Sequence, residues 1–186
     1  ALIFVPEGDA LPAWLPRPSA PAIAAMLHKH PAYLGKAHVA TFAAGCFWGI
    51  RRALAAQSGV LVAIAGFTGG SVANVTYEEV CHGKTGHVEA VQVAFLPSSI
   101  SYSELLDLYW SLVPDLTRCY QQGQDIGPQY EPVIFYHSEA QRDSALKSKE
   151  KLQASVAAQQ GSNAKVVTRV SPARAFCAAS EEHQQK

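Results

Sequence analysis

The order of short apolar runs and amphipathic stretches is the feature that most constrains the fold of this chain. Apolar runs with the length of strands alternate with stretches of helical periodicity in the order strand, helix, strand, strand, helix, strand, followed by one more helix and strand. The predicted strands cover residues 37–43, 60–67, 88–95, 133–136 and 166–170, and the predicted helices cover residues 47–57, 101–112 and 138–160. This order is typical of the split βαβ pattern. We therefore predict an α/β (α+β) two-layer sandwich with a ferredoxin-like βαββαβ core and a mixed sheet.

The chain divides by composition into an extension and a domain. Residues 1–36 are rich in proline and have little periodicity, so we expect an N-terminal extension packed on the domain, with at most a short helix near residues 22–28. Residues 37–186 form the predicted catalytic domain. Two long segments without clear periodicity, 66–87 and 113–132, interrupt it, and loops of that length in a compact domain are usually functional.

The overall composition excludes several classes of protein. Of the 186 residues, 48% are hydrophobic and 16% charged, with a net charge of zero, which indicates a globular chain without the basic surface of a nucleic-acid-binding protein. No apolar run approaches the roughly 20 residues that span a bilayer, and the N-terminus makes a poor signal peptide. Four cysteines without a C-x-x-C spacing favour a reducing compartment with working thiols. We expect a cytoplasmic monomer that binds neither nucleic acid nor membranes.

One cysteine lies between the first predicted strand and the first predicted helix. Residues 41–49 read TFAAGCFWG. Unpaired backbone N–H groups and the helix dipole favour negative charge at such a position, which lowers the pKa of a thiol and favours the thiolate of Cys46. Phe47 and Trp48 follow, so two aromatic rings can form an apolar wall beside the sulfur. The pattern is equally consistent with a buried structural cysteine, since cysteine behaves as a small hydrophobic residue.

An acidic residue, Glu89, interrupts the apolar strand 88–95. A charged carboxylate is costly to bury, so the pKa of a buried Glu89 would rise and the side chain would stay protonated. A neutral carboxylic acid near a thiolate is a general acid for a leaving oxygen. The alternative is a Glu89 on the solvated face of a half-exposed strand. Tyr77, Tyr130 and Asp125 lie in polar loops, where amphipathic tyrosines and a turn aspartate are also ordinary.

Four segments of the sequence resemble the methionine sulfoxide reductase A family. They are residues 45–49 (GCFWG), 66–70 (GFTGG), 76–91 (TYEEVCHGKTGHVEAV) and 123–130 (GQDIGPQY). The similarity runs in order from about Phe42 to the His183-Gln184-Gln185 segment, which is most of the chain. Several motifs in the family's order are far more specific than any one of them, and the family's α/β sandwich agrees with the predicted elements.

The resemblance implies a peptide-methionine (S)-S-oxide reductase that acts on methionine sulfoxide, free or in oxidised proteins. In it, Cys46 attacks the sulfur and protonated Glu89 gives its proton to the oxygen. Tyr77 and Tyr130 bind that oxygen, Asp125 supports the polar side of the pocket, and Phe47 and Trp48 line the pocket for the terminal methyl group. Cys46 becomes a sulfenic acid, which a second thiol reduces. No bound cofactor or metal is implied, and the electrons come from an external thiol such as thioredoxin, glutaredoxin or a dithiol.

The sequence departs from the family's usual pattern in ways that concern the thiol. Arg51 stands where glutamate is common, and a cation in the first helical turn can help to stabilise the Cys46 thiolate. Many relatives continue into a glycine-rich tail with resolving cysteines, whereas this sequence stops at Lys186. We therefore expect regeneration by an internal thiol, with Cys177 preferred over Cys119 and Cys81, or by an external thiol acting directly on Cys46.

Two other functions stay open from the sequence. Cys81, His82 and His87 lie close together in the chain, as ligands of a metal can, but their spacing fits no standard zinc motif. A module that binds oxidised methionine without turnover would carry the same pocket.

Overall fold

The computed structural model describes residues 23, 31–33, 35–123 and 125–184. The strands in these ranges are β1 (His38–Ala43), β2 (Val60–Thr68), β3 (Val88–Phe95), β4 (Gln121–Gln122), β5 (Asp125–Ile126), β6 (Val133–Tyr136), β7 (Arg169–Pro172) and β8 (Phe176–Ala178). The helices are α1 (Phe47–Ala55), α2 (Tyr77–Cys81), α3 (Tyr102–Leu112), α4 (Glu139–Gln160) and α5 (Glu181–Gln184), with 3-10 helices at Pro31–Tyr33 and Pro128–Tyr130.

Six of these strands form one mixed sheet in the order β7–β6–β1–β3–β2–β8. Neighbouring strands are antiparallel except β6 and β7, which are parallel. Helix α1 connects β1 to β2, and these two strands are parallel to each other because both are antiparallel to β3, which lies between them. This arrangement is that of the split βαβ unit. The predicted sandwich with a ferredoxin-like core and a mixed sheet is confirmed.

Capping side chains start two helices where the sequence predicts them. The Ser101 hydroxyl accepts a hydrogen bond from the Glu104 backbone N–H, and the Glu104 carboxylate accepts one from the Ser101 backbone N–H, which is a capping box at the start of α3. At the start of α4, the Ser138 hydroxyl accepts a hydrogen bond from the backbone N–H of Gln141. These bonds satisfy donors that a helix start otherwise leaves without a partner.

Both faces of the central strands are covered. One face carries the larger apolar cluster, to which α1, α3 and α4 contribute Phe47, Leu54, Leu106, Tyr109 and Ala145. The opposite face carries a smaller cluster that includes Ile64, Val88, Phe135 and Ile23. Strand β3, between β1 and β2, is therefore buried along its whole length. Any polar side chain on β3, including Glu89, must take its hydrogen bonds from inside the protein.

The predicted strand at residues 166–170 is wrong in its bounds, because β7 begins at Arg169. Residues just before it bond to neighbours other than β6. The backbone N–H of Val166 donates to the Gln153 side chain in α4, and the backbone N–H of Val167 donates to the carbonyl of Leu116. Only from Arg169 onward does the chain pair with β6.

The two segments without periodicity contain short elements that the sequence analysis missed. Segment 66–87 holds α2, which starts in a capping box formed by Thr76 and Glu79, and segment 113–132 holds the β4–β5 hairpin and a 3-10 helix. Strand β8 and helix α5, which follow β7, were also not predicted. The short helix expected near residues 22–28 lies outside the described residues except for Ile23, which is buried in the smaller cluster.

Candidate active site

Cys46 occupies the turn between β1 and α1. Gly45 takes a backbone φ of +93°, a value that L side chains rarely adopt, and so allows the strand to turn sharply. Cys46 is the N-cap residue of α1 and is half-buried. The sulfur thus lies at the start of a helix, as the sequence predicts.

A glutamine side chain from the β4–β5 hairpin fixes this turn from the other side. The Gln122 amide oxygen accepts a hydrogen bond from the backbone N–H of Cys46. A Cβ added at Gly45 would collide with this amide, so the close approach requires glycine at that position. Sequence reasoning missed Gln122, because it lies 76 residues from Cys46 and belongs to no recognisable motif.

Glu89 lies on β3 directly opposite Phe67 of β2 and is only 2% exposed. One of its carboxylate oxygens, Oε2, accepts a 3.0 Å hydrogen bond from the backbone N–H of Phe47, the first residue of α1. Burial raises the pKa of Glu89 to about 7, against the opposing effect of the Phe47 N–H. The solvated alternative for Glu89 is therefore wrong.

The electrostatic surroundings of Cys46 differ from the expectation. Burial raises the pKa of the Cys46 thiol, the backbone N–H of Trp48 lowers it, and the negative charges of Glu89 and Asp125 raise it further. The expected lowering at the helix start is thus outweighed. Arg51, whose Nε donates to the backbone carbonyl of Ala63 at 3.1 Å, is not among the groups that shift the pKa of Cys46.

Aromatic rings line the apolar side of this site. The Phe47 ring centroid lies 6.2 Å from that of Trp48 and 5.8 Å from that of Phe67. Tyr77, at the start of α2, lies 6.3 Å from Phe67. Phe47 and Phe67 are almost fully buried, whereas Trp48 and Tyr77 are partly exposed. The rings therefore form a wall that starts in the core and ends at the surface beside Cys46.

Two phenols and one carboxylate surround Glu89 on the polar side. The negative charge of Glu89 acts on both Tyr77 and Tyr130, and that of Asp125 acts on Tyr130 and on Glu89 itself. Burial is the main cause that raises the pKa of each phenol, so both hydroxyls keep their protons at neutral pH. Cys81 raises the pKa of Tyr77 further, whereas the Gln129 side chain lowers that of Tyr130.

The structure therefore brings together all seven residues that the sequence analysis assigned to a pocket. They form an N-cap thiol, a buried carboxyl group with a pKa of about 7, two phenols and an aromatic wall, so polar and apolar groups lie side by side next to one sulfur. Comparison with known proteins identifies the family. The family model for peptide methionine sulfoxide reductase matches residues 38–185.

The chain belongs to this family. A curated relative, peptide methionine sulfoxide reductase MsrA of Methanothermobacter thermautotrophicus, is 45% identical over 152 residues, which cover 82% of this chain and 87% of the relative. The structure of methionine sulfoxide reductase A of Corynebacterium diphtheriae is 30% identical, with a TM-score of 0.76, and the similarity covers 97% of this chain and 88% of that one. This chain is accordingly an oxidoreductase that reduces methionine sulfoxide.

A eukaryotic relative has a similar structure. Reduced Mxr1 of Saccharomyces cerevisiae is 30% identical with a TM-score of 0.70, and the similarity covers 80% of this chain and 83% of Mxr1. Another structure of Mxr1 is a complex with Trx2. Trx2 is therefore a binding partner of that relative.

The other three thiols of the reductase differ in their surroundings. Cys177 on β8 pairs with Phe67, its sulfur lies 3.5 Å from the carbonyl oxygen of Val75, and burial raises its pKa. Cys119 lies in the loop before β4, where burial is the main cause that raises its pKa. Cys81 at the end of α2 is exposed. All four cysteines are in the free form.

Sequence reasoning gave His183 no role, yet its ring lies at the site. The ring centroid of His183, in α5, is 4.7 Å from that of Tyr77. Within the described ranges, no three His, Cys, Asp or Glu side chains are grouped closely enough to hold a metal ion. In the same part of the chain, every helix is too short or too polar to cross a membrane.

Proposed function

We propose that this reductase converts the S epimer of methionine sulfoxide, free or in oxidised proteins, to methionine, with Cys46 as the nucleophile and Glu89 as the acid. The hydrogen bond from the Phe47 N–H to the Glu89 carboxylate carries the proposal, because it ties the acid to the residue next to Cys46. A thiol and a protonated acid at one helix start are the two groups that reduction of a sulfoxide requires.

Glu89 supplies the proton. The oxygen of a sulfoxide is a poor leaving group until it is protonated, so an acid that keeps its proton near neutral pH is needed. An ordinary glutamate is ionised at pH 7, whereas burial raises the pKa of Glu89 to about 7. Its Oε2 can accept from the Phe47 N–H while the other oxygen carries the proton.

The reaction balances without a bound cofactor. The Cys46 thiolate attacks the sulfur of the sulfoxide, and Glu89 transfers its proton to the oxygen. This attack forms a bond between the two sulfur atoms. The sulfur–oxygen bond of the substrate then breaks, and the hydroxyl group moves to the Cys46 sulfur. The sulfur–sulfur bond breaks with its electron pair going to the substrate sulfur, so methionine leaves and Cys46 remains as a sulfenic acid. The substrate sulfur is reduced by two electrons and the Cys46 sulfur is oxidised by two.

Separate subsites for the methyl group and the oxygen explain the selection of one epimer. Phe47 and Trp48 form the methyl subsite. Burial raises the pKa of Tyr77 and of Tyr130, so both hydroxyls keep their protons and can donate hydrogen bonds to the sulfoxide oxygen. Asp125 supports the polar side. The other epimer would place its methyl group against the phenols, and the hydroxyl donors that the bound substrate covers would then have no partner.

Regeneration of Cys46 requires a second thiol. Cys177 is our preferred internal candidate, since Glu89, Phe67 and Cys177 face each other across β3, β2 and β8. Two strand spacings place the Cα atoms of Glu89 and Cys177 roughly 10 Å apart. Cys177 attacks the Cys46 sulfenic acid, water leaves, and a disulfide forms. An external thiol (thioredoxin, glutaredoxin or a small dithiol) then reduces that disulfide, or it acts on Cys46 directly.

The proposal is tested by measuring the conversion of each separate epimer of a peptide methionine sulfoxide to the methionine peptide, with dithiothreitol as reductant. The wild type should release methionine from the S epimer only, and Cys46→Ser should release none. Equal turnover by Cys46→Ser would overturn the assignment of the nucleophile, and binding without release would indicate a module that only holds oxidised methionine.

A second assay tests regeneration, with thioredoxin, thioredoxin reductase and NADPH as the source of electrons. Cys177→Ser should keep its single turnover but lose at least tenfold in thioredoxin-driven turnover, while Cys119→Ser serves as the matched control. Equal rates for the two variants would assign regeneration to an external thiol acting on Cys46.

A further inference from the structure

The ring of His183 lies against three aromatic side chains of the site. Its centroid is 4.7 Å from that of Tyr77 and 6.4 Å from that of Trp48, whose plane is nearly parallel to it at 16°. It is also 6.4 Å from Phe47, in an edge-on arrangement at 64°. His183 thus separates the ring of the proposed methyl subsite, Trp48, from the phenol of the proposed oxygen subsite, Tyr77.

The orientation of the His183 ring is fixed. Its Nδ1 lies 2.8 Å from the Ser180 hydroxyl, and its backbone N–H donates to the Ser180 carbonyl. The next residue, Gln184, attaches α5 to the edge of β2, because its amide donates to the Ala65 carbonyl at 2.7 Å and accepts from the Ala65 N–H at 2.9 Å. A short helix held in this way can carry a side chain in a defined position.

We propose that His183 is a positioning residue that sets the distance between Trp48 and Tyr77 and thereby the preference for one sulfoxide epimer. This inference rests on the proposed function. The two epimers exchange the positions of groups around sulfur, so the preference depends on how rigidly the methyl and oxygen subsites are spaced. Trp48 is partly exposed, and a ring stacked on its face limits the rotamers that it can adopt.

Three variants separate this role from simple space-filling. His183→Phe keeps an aromatic ring, His183→Leu keeps apolar bulk without a ring, and Glu182→Ala changes an exposed residue of the same helix as a control. For each variant we measure KM and kcat with the separate S and R epimers of a peptide sulfoxide, with dithiothreitol as reductant. The epimer ratio is kcat/KM for the S epimer divided by kcat/KM for the R epimer. Thermal unfolding of each variant shows whether the fold is retained.

His183→Leu should raise KM for the S epimer by about tenfold, change kcat less than threefold and lower the ratio between epimers by about the same factor as KM rises, as the loss of three ring pairs predicts. His183→Phe should have a KM for the S epimer and an epimer ratio close to those of the wild type. An unchanged epimer ratio in His183→Leu, or a fall in kcat alone, would overturn the inference. If the wild type itself reduced neither epimer, the proposed function would fail instead.

Discussion

The Glu89 carboxylate accepts a 3.0 Å hydrogen bond from the backbone N–H of Phe47, so a residue of the central strand β3 joins the start of α1 beside Cys46. Two opposing effects act on the pKa of this carboxyl group. The N–H of the helix start favours a charged carboxylate, whereas burial between two covered sheet faces favours the protonated form. Burial is the larger effect, and the pKa of Glu89 rises to about 7.

The pH dependence of the reaction should report this raised pKa. The productive form pairs a Cys46 thiolate with a protonated Glu89, and burial raises the pKa of both groups. Because both protons belong to one coupled pair, the rate of the first turnover should rise through about pH 7 and fall again as the second proton is lost. Single-turnover rates from pH 5 to pH 10 measure this profile.

Glu89→Gln provides the matching variant. It should react about 10²- to 10⁴-fold more slowly and lose the alkaline fall, because no acid is left to ionise. Glu78→Gln, which changes an exposed glutamate in α2, should keep the wild-type profile. A wild-type rate that continues to rise up to pH 10 would be incompatible with a protonated Glu89 as the acid.

The same raised pKa should destabilise the fold as pH rises from 4.5 to about 7. Below the ordinary pKa of 4.5, Glu89 is protonated in both the folded and the unfolded chain. Between pH 4.5 and about 7 the unfolded chain releases the proton and the folded chain retains it, so stability falls as pH rises, by about 3 kcal/mol in total. Urea unfolding at pH 4.5 and pH 8 should therefore show Glu89→Gln gaining about 3 kcal/mol relative to wild type. If the free energies of unfolding of Glu89→Gln and wild type differed by the same amount at both pH values, the raised pKa of Glu89 would be contradicted.

Two glycines on either side of Cys46 should respond oppositely to alanine. Gly45→Ala places a side chain at a φ of +93° and against the Gln122 amide, so it should lower the free energy of unfolding by about 2 kcal/mol or more. Gly49 is exposed in α1, and an added Cβ meets no heavy atom within 4 Å. Gly49→Ala should raise the free energy of unfolding by up to about 1 kcal/mol. Equal effects in urea unfolding would show that the turn at Gly45 is not constrained.

Removal of the two phenol hydroxyls should slow the reduction step. Tyr77→Phe and Tyr130→Phe should each lower the single-turnover rate about tenfold, and the double variant by about 10²- to 10³-fold, because each removes a donor to the developing charge on oxygen. Tyr136→Phe in β6 is the matched control. A double variant with the wild-type rate would exclude both hydroxyls from oxygen binding.

Local sequence patterns account for much of the fold, and contacts between distant segments account for what they miss. The bounds of β3 and β6 follow from apolar runs alone, and the Ser101 and Ser138 caps mark the starts of α3 and α4. The 166–170 strand was misplaced because bonds from Val166 and Val167 to α4 and to a loop replace sheet pairing there.

Contacts between distant segments also determine those features of the site that the sequence does not predict. The motif around Cys46 locates the thiol, but the burial of Glu89 depends on which strands flank β3, and the direction of the Cys46 pKa shift depends mainly on how far the thiol itself is buried. Gln122 and His183 reach the site from segments far along the chain. No periodicity or spacing connects them to Cys46, so only the folded arrangement reveals them.

The most direct test of the account uses a reductase in which Cys46 is the only thiol, made by changing Cys81, Cys119 and Cys177 to serine. One addition of the S epimer of a peptide sulfoxide, without reductant, should yield about one methionine per chain, and dimedone should then label Cys46 as a sulfenic acid. Methionine release with an unmodified Cys46, or no release from a folded protein, would contradict the central claim that Cys46 takes the oxygen from the substrate.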